Sequence, residues 1–208
     1  MSNNFFPLTA EELVKRINKI PKVKLSMLPT ALEYLPNISK ELEINLFIKR
    51  DDCTGLAFGG NKTRHLEFIM HKAKIGDYDC VLTGAATQSN WCRQTVAAAN
   101  KLGLETFLVL VRGIKSNQMQ GNFLLYDILG AQVDVVEGEN VEDIPEHLDR
   151  KYEELIKAGR KPLLIKGGFD INDSVLAGIS YANAMAELDF QMKENNFMAN
   201  HLIVTAAN

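Results

Sequence analysis

The sequence predicts an α/β fold built on a parallel, doubly wound sheet. Three observations predict it. From residue 80 to residue 166, short apolar segments of strand length alternate with longer segments of helical periodicity. Each of the three intervening helix candidates is followed by a glycine, Gly103, Gly130 and Gly159, the residue that most readily takes the left-handed turn at a helix end. Strands joined through helices in this way run parallel, with right-handed crossovers.

Taken in order, Thr9-Ala10-Glu11-Glu12 reads as a capping box that opens a helix ending before Pro21. Residues 22–43, with Pro29 and Pro36, read as an irregular approach, and 45–49 (NLFIK) as a short strand. A turn over 51–55 leads to the loop Phe58-Gly59-Gly60-Asn61, and a helix is predicted from near Lys62 towards Lys74. The repeating unit follows: strands at 80–83, 106–111, 132–136 and 162–166, and helices at 89–102, 117–129 and 141–158. A last helix is predicted over about 174–194 and a last strand over 201–206 (HLIVTA). Ligands of open α/β sheets sit in the loops after the carboxyl ends of strands. The sequence ends at Asn208, directly after such a strand, so the chain is expected to be the N-terminal part of a longer protein or a truncated form of one.

Composition narrows the classes. A chain of 208 residues, 46% apolar and 24% charged, can bury one good core or two small ones and carries no signature of disorder. A net charge of −3 gives no electrostatic reason to expect nucleic acid as a partner. No apolar run approaches the roughly 20 residues of a membrane span, and the N-terminus lacks the basic start and apolar core of a signal peptide. Neither a membrane nor secretion is expected. Cys53, Cys80 and Cys92 are odd in number and lack C-x-x-C spacing, which argues against a disulfide framework and for a reducing compartment, the cytoplasm. His65, His71, His147 and His201 form no zinc-binding pattern, so no metal is expected.

Two segments carry chemistry. In Gly59-Gly60-Asn61-Lys62-Thr63-Arg64, Asn61 stands between the second glycine and the lysine. That insertion breaks the spacing of a phosphate-binding P-loop. A lysine in the first turn of a helix meets the positive end of the helix dipole. Partial burial adds to the same effect, and both favour the free amine that attacks an aldehyde. The glycines would let a flat ring approach the backbone. The bland alternative, a solvated lysine among the chain's sixteen, stays open on local chemistry alone. The second segment, Thr83-Gly84-Ala85-Ala86-Thr87-Gln88-Ser89-Asn90, joins a strand to a helix N-terminus and suits a carboxylate or phosphate. The plainer reading of this segment alone is that Thr87 or Ser89 is an N-cap.

Together these segments resemble a known family. Ile48-Lys49-Arg50-Asp51-Asp52, Gly59-Gly60-Asn61-Lys62-Thr63-Arg64-His65-Leu66-Glu67, Gln88-Ser89-Asn90 and Arg93-Gln94-Thr95 are similar to 1-aminocyclopropane-1-carboxylate deaminase and D-cysteine desulfhydrase. Pro29-Thr30, Glu33-Tyr34-Leu35-Pro36 and Gly178-Ile179-Ser180-Tyr181-Ala182-Asn183 fit the same pattern. The resemblance implies the tryptophan-synthase-β-like fold of pyridoxal-phosphate enzymes (fold type II). A smaller α/β domain, here 65–170, is inserted in a larger one, here 1–64 and 171–208 in part. It implies that Lys62 binds pyridoxal 5'-phosphate covalently and that Asn90 hydrogen-bonds the cofactor's phenolic oxygen. Ser89 would act as nucleophile or proton-transfer group, and Gln88 with nearby amides would bind the substrate carboxylate. The implied enzyme is a lyase or deaminase of a small amino acid, a homodimer when complete. It would convert D-cysteine to pyruvate, ammonia and sulfide, or aminocyclopropane carboxylate to 2-oxobutanoate and ammonia.

The sequence departs from that family in places. The S-G-G-T loop that grips the cofactor phosphate, and the residues that contact the pyridine ring, would lie beyond Asn208. The 208-residue chain alone is therefore expected to bind the cofactor weakly. A non-catalytic fragment or paralogue with an incomplete site is the competing reading. His65 stands where the family often has a lysine. Trp91 could narrow the substrate pocket or pack between domains, and Cys92 beside Arg93 could be activated or buried and inert.

Overall fold

The computed structural model describes residues 8–112, 118–136 and 141–205. Its helices are α1 (Ala10–Ile17), α2 (Pro36–Leu42), α3 (Lys62–Ile69), α4 (His71–Ile75), α5 (Asn90–Lys101), α6 (Gly121–Ile128), α7 (Ile144–Lys157) and α8 (Ile171–Glu194). Its strands are β1 (Leu32–Tyr34), β2 (Phe47–Lys49), β3 (Cys80–Ala86), β4 (Glu105–Val111), β5 (Gln132–Val136) and β6 (Pro162–Leu164).

The predicted parallel sheet is present, in the order β5-β4-β3-β6. All three strand pairings are parallel, with Leu82 opposite both Phe107 and Leu164. Alternation along the strands sorts the core into two layers. Cys80 and Leu82 of β3, with Phe107, Val109 and Val111 of β4, face Ile144, Leu148 and Leu155 of α7. On the opposite face, Leu108 and Leu110 meet Cys92 and Val96 of α5 and Tyr126 of α6. There Val81 meets Leu66 and Ile69 of α3. Helices thus cover both faces, as the strand–helix alternation predicts. Burying each such leucine or valine contributes roughly 1.5–3 kcal/mol.

The local stop and start signals hold. Thr9 and Glu12 form the capping box, and Gly103, Gly130 and Gly159 all adopt positive φ after their helices. Asp170 opens α8 earlier than predicted, because its side chain accepts the amides of Asn172 and Asp173. Residue 117, placed at a helix start by the sequence, lies outside the described residues, and α6 begins at Gly121.

Three expectations change. Residues 22–43 are not wholly irregular: β1 pairs antiparallel with β2, Leu32 opposite Lys49, and α2 starts with Pro36 in its first turn. The helix predicted from Lys62 towards Lys74 is divided at Met70. The strand predicted at 201–206 is not formed over its described part, 201–205. A strand exists by pairing, and no described strand lies beside this one. Leu202, Ile203 and Val204 are exposed, Ile203 at 89%.

Candidate functional site

The site begins with the loop that delivers Lys62. Ala57 and Phe58 both have positive φ, an uncommon and strained conformation for residues with a side chain. Gly59 and Gly60 follow at φ +73° and +123°. A Cβ on Gly59 would lie 1.8 Å from the Asp52 carbonyl oxygen, and one on Gly60 would lie 2.5 Å from Nε2 of Gln94. The glycines thus make room for the chain's own packing in this structure, a different use from the ring approach read from the sequence. Gly60→Ala is therefore expected to destabilise the fold by more than about 1 kcal/mol. Urea unfolding that leaves the midpoint unchanged would contradict this.

Helix α5 holds the loop in place. Arg93 Nη2 donates to the Gly59 carbonyl at 3.0 Å. Gln94, fully buried, accepts at Oε1 from the Thr63 backbone N–H and hydroxyl, each at 2.7 Å. Thr54 donates its hydroxyl to the Gly60 carbonyl at 2.8 Å. Gln94 caps one of the amide donors that α3 cannot satisfy internally.

Lys62 occupies the first turn of α3 and is half-buried, and burial lowers its pKa. It makes no hydrogen bond or ion pair among the described residues. Around it, Asn61 donates to the Tyr181 hydroxyl of α8, and the Tyr181 ring meets His65 edge-on at 4.9 Å. His65 Nε2 is buried without a partner. Burial, then the Lys62 charge, pushes the His65 pKa from 6.5 down to about 4. The unfolded chain takes up that proton near pH 6.5, whereas the folded chain refuses it until about pH 4. Stability should therefore fall as the pH drops from 6.5 towards 4. His65→Leu should remove this part of the slope, and an unchanged slope in pH-dependent urea unfolding would rule His65 out as its source.

The residue two places on anchors the helix. Arg64, 2% exposed, donates to both carboxylate oxygens of Asp51 at 2.8 Å and to both of Glu187 at 3.0 Å. Lys49 joins at 2.5 Å from Glu187, and the Thr30 amide also donates to Glu187. This network ties β2, α3 and α8 together two residues along α3 from Lys62. The sequence reading assigned no role to Asp51, Arg64 or Glu187.

The second predicted segment lies at the N-terminus of the same α5. Ser89 is its N-cap, with Oγ accepting from the Cys92 amide at 3.2 Å. Gln88 turns to α6: its Oε1 accepts from the Asn122 N–H and its Nε2 donates to the Gln120 carbonyl. Asn90 is exposed, and its Oδ1 accepts from Asn122 Nδ2 at 2.9 Å. The start of α3 that carries Lys62 is thus fastened to α5 one turn beyond the 88–90 segment, since Gln94, which holds Thr63, is four residues along α5 from Asn90. Trp91 serves packing: its indole N–H donates to Thr83 at 2.9 Å, and its ring lies against Gly167. Cys92 is fully buried and its thiol is pushed up to about 12, so it is the inert alternative. A groove of about 860 Å³ is lined by Lys24, Met27, Pro29 and Lys101 among others, and by none of Lys62, Gln88, Ser89 and Asn90.

A parallel α/β sheet with a half-buried lysine in the first turn of a helix, unpaired among the described residues, suits a lysine-centred cofactor enzyme. Residues 23–207 match the profile of the pyridoxal-phosphate dependent enzymes, and the chain belongs to that family. A protein of Pyrococcus horikoshii, provisionally named a 1-aminocyclopropane-1-carboxylate deaminase, is 39% identical over 83% of this chain and 51% of its own length. D-cysteine desulfhydrase of Klebsiella pneumoniae is 35% identical over 87% of this chain and 55% of its own. The crystal structure of an aminocyclopropane carboxylate deaminase homologue superposes with a TM-score of 0.77 at 36% identity, covering 86% of this chain and 53% of that one. The fold is therefore the expected one of fold type II, and the chain spans about half the length of the relatives it matches. Among the described residues, no helix is long and apolar enough to cross a membrane.

The residues present fit the family's cofactor. Lys62 offers an amine that is partly desolvated and unpaired among the described residues, and α5 offers the unsatisfied amides of a helix start.

Proposed function

We propose that the protein carrying this chain is a pyridoxal-phosphate-dependent lyase or deaminase of a small amino acid. It acts on D-cysteine as a desulfhydrase or on aminocyclopropane carboxylate as a deaminase. The observation that carries the reading is Lys62 itself: half-buried, unpaired among the described residues, its pKa lowered by burial, in the first turn of a helix fastened to the one that bears Ser89 and Asn90.

Pyridoxal phosphate supplies an electron sink when bound. The chain's residues do the rest. Lys62 would hold the cofactor covalently and would move a proton, at the α-carbon of D-cysteine or at a ring carbon of aminocyclopropane carboxylate, whose α-carbon carries no hydrogen. The Ser89 oxygen accepts from the Cys92 amide, which leaves its own hydrogen free to donate to the substrate. Asn90 would donate to the cofactor's phenolic oxygen. Gln88 and the amides near it would receive the substrate carboxylate, which requires Gln88 to share or exchange its bonds to Gln120 and Asn122. We assign 65–170 to a smaller domain and 1–64 with 171–208 to part of a larger one. The three free thiols support a cytoplasmic protein, and the family resemblance supports a homodimer. Sedimentation checks the latter.

The test is product identity. The protein is supplied with pyridoxal phosphate and each substrate in turn. Pyruvate with sulfide from D-cysteine, or 2-oxobutanoate from aminocyclopropane carboxylate, is the expected result. Saturable cofactor binding without either product would favour the non-catalytic reading.

A further inference from the structure

One residue outside the predicted site holds two of its members. Asn122, in the first turn of α6, donates its backbone N–H to Gln88 Oε1 at 3.0 Å. Its side-chain Nδ2 donates to the Gln88 carbonyl at 2.8 Å and to Asn90 Oδ1 at 2.9 Å. One turn on, Tyr126 is fully buried and donates its hydroxyl to the carbonyl of Ser89, the residue between them, at 2.8 Å. Positions four apart on a helix share a face, so this face of α6 contacts residues 88, 89 and 90 in succession. The fit leaves no room at Gly121, where a Cβ would lie 2.6 Å from Gln88 Oε1.

We infer that Asn122 is a positioning residue for the cofactor, acting through Asn90. An amide side chain has one accepting edge and one donating edge. Asn122 occupies the accepting edge of Asn90, which leaves the NH₂ edge as the one Asn90 presents. A phenolic oxygen carrying negative charge needs that donor. Without Asn122 the Asn90 amide can rotate and offer its oxygen instead. Tyr126 adds a fixed backbone on either side of which the two amides turn.

This inference rests on the proposed contact between Asn90 and the phenolic oxygen, and the experiment separates the two. The probes are pyridoxal phosphate and its 3-deoxy analogue, which lacks that oxygen. Binding is read by quenching of Trp91, the single tryptophan, and by the absorption of the bound ligand. The variants are Asn122→Asp, Asn122→Ala and Asn90→Ala. Asn122→Asp keeps size and backbone N–H, and an acidic side chain is favoured in a helix's first turn, so folding is retained. Its carboxylate draws the NH₂ edge of Asn90 to itself. Both Asn122 variants should weaken pyridoxal phosphate about tenfold, the loss of one hydrogen bond to a charged group, and weaken the 3-deoxy ligand less than about twofold. Equal losses for both ligands, or none for either, would overturn the inference, because general loosening of the fold does not distinguish the ligands. If Asn90→Ala itself fails to discriminate between them, the Asn90 contact falls and the inference with it. If Asn90→Ala discriminates and the Asn122 variants do not, the inference alone falls.

Discussion

Lys62→Ala is expected to abolish covalent attachment of pyridoxal phosphate and to reduce keto-acid release by at least about a hundredfold, the lower range for a positioned proton-transfer group. The expectation rests on what distinguishes Lys62 among sixteen lysines. Lys49, Lys72, Lys151, Lys161, Lys166 and Lys193 each lie in an ion pair. Lys62 has no ion partner among the described residues and has its pKa lowered by burial, so a larger share of it is free amine at neutral pH. Borohydride reduction after adding the cofactor, followed by peptide mapping, should place the adduct on the peptide containing residue 62. Repeated at decreasing pH, labelling there should persist below the pH at which exposed lysines stop reacting. A variant that keeps the visible absorption at full strength, or an adduct spread evenly over surface lysines in the wild type, would remove Lys62 from its role.

Glu187→Ala should destabilise the fold by about 3 kcal/mol, the usual cost of breaking a buried ion pair from one side. Arg64 is 2% exposed and spends two of its donor contacts on Glu187. Removing that carboxylate leaves the guanidinium with Asp51 and the Thr30 hydroxyl, and leaves Lys49 with neutral acceptors, the Thr30 carbonyl and Gln191. At this chain length the change corresponds to a fall in Tm of roughly 6–12 °C. Glu187→Gln keeps an acceptor and should fall between the two. The Glu187 pKa is itself lowered by Arg64 and Lys49, whose hydrogen bonds and charge outweigh its desolvation. Its stabilising contribution is therefore complete above the ordinary carboxylate range and lost as the pH falls through its lowered value. A Glu187→Ala Tm within a degree or two of wild type would show that the network contributes little to holding α8 against α3.

The proposed covalent lysine and the residues proposed to act with it were legible because each falls in a short contiguous segment. Gly59-Gly60-Asn61-Lys62 lies at a loop-to-helix junction, and Gln88-Ser89-Asn90 at a strand-to-helix junction. The residues that set their geometry were not legible in the same way. Gln94 and Asn122 act through hydrogen bonds to groups 31 to 34 positions away, and Glu187 through one 123 positions away from Arg64. Gln94 does fall in the Arg93-Gln94-Thr95 run that carried the family resemblance. A polar side chain within an otherwise apolar buried helix face was the signal that could have marked it.

By itself the sequence determined whatever depends on neighbouring residues. It fixed the capped start at Thr9, the glycine stops at 103, 130 and 159, and the alternation that makes β3, β4 and β5 two-faced. These are local: dihedral preference, capping and periodicity act within a few residues. The tertiary structure alone decided that β1 pairs with β2, since three-residue strands carry no usable periodicity. It decided that 201–205 stays unpaired despite its strand-like composition, since a ladder needs a second chain segment beside it. It also decided that the start of α3, next to Lys62, is held against α5, since only the parallel crossover that carries α5 back over the sheet sets Gln94 against Thr63.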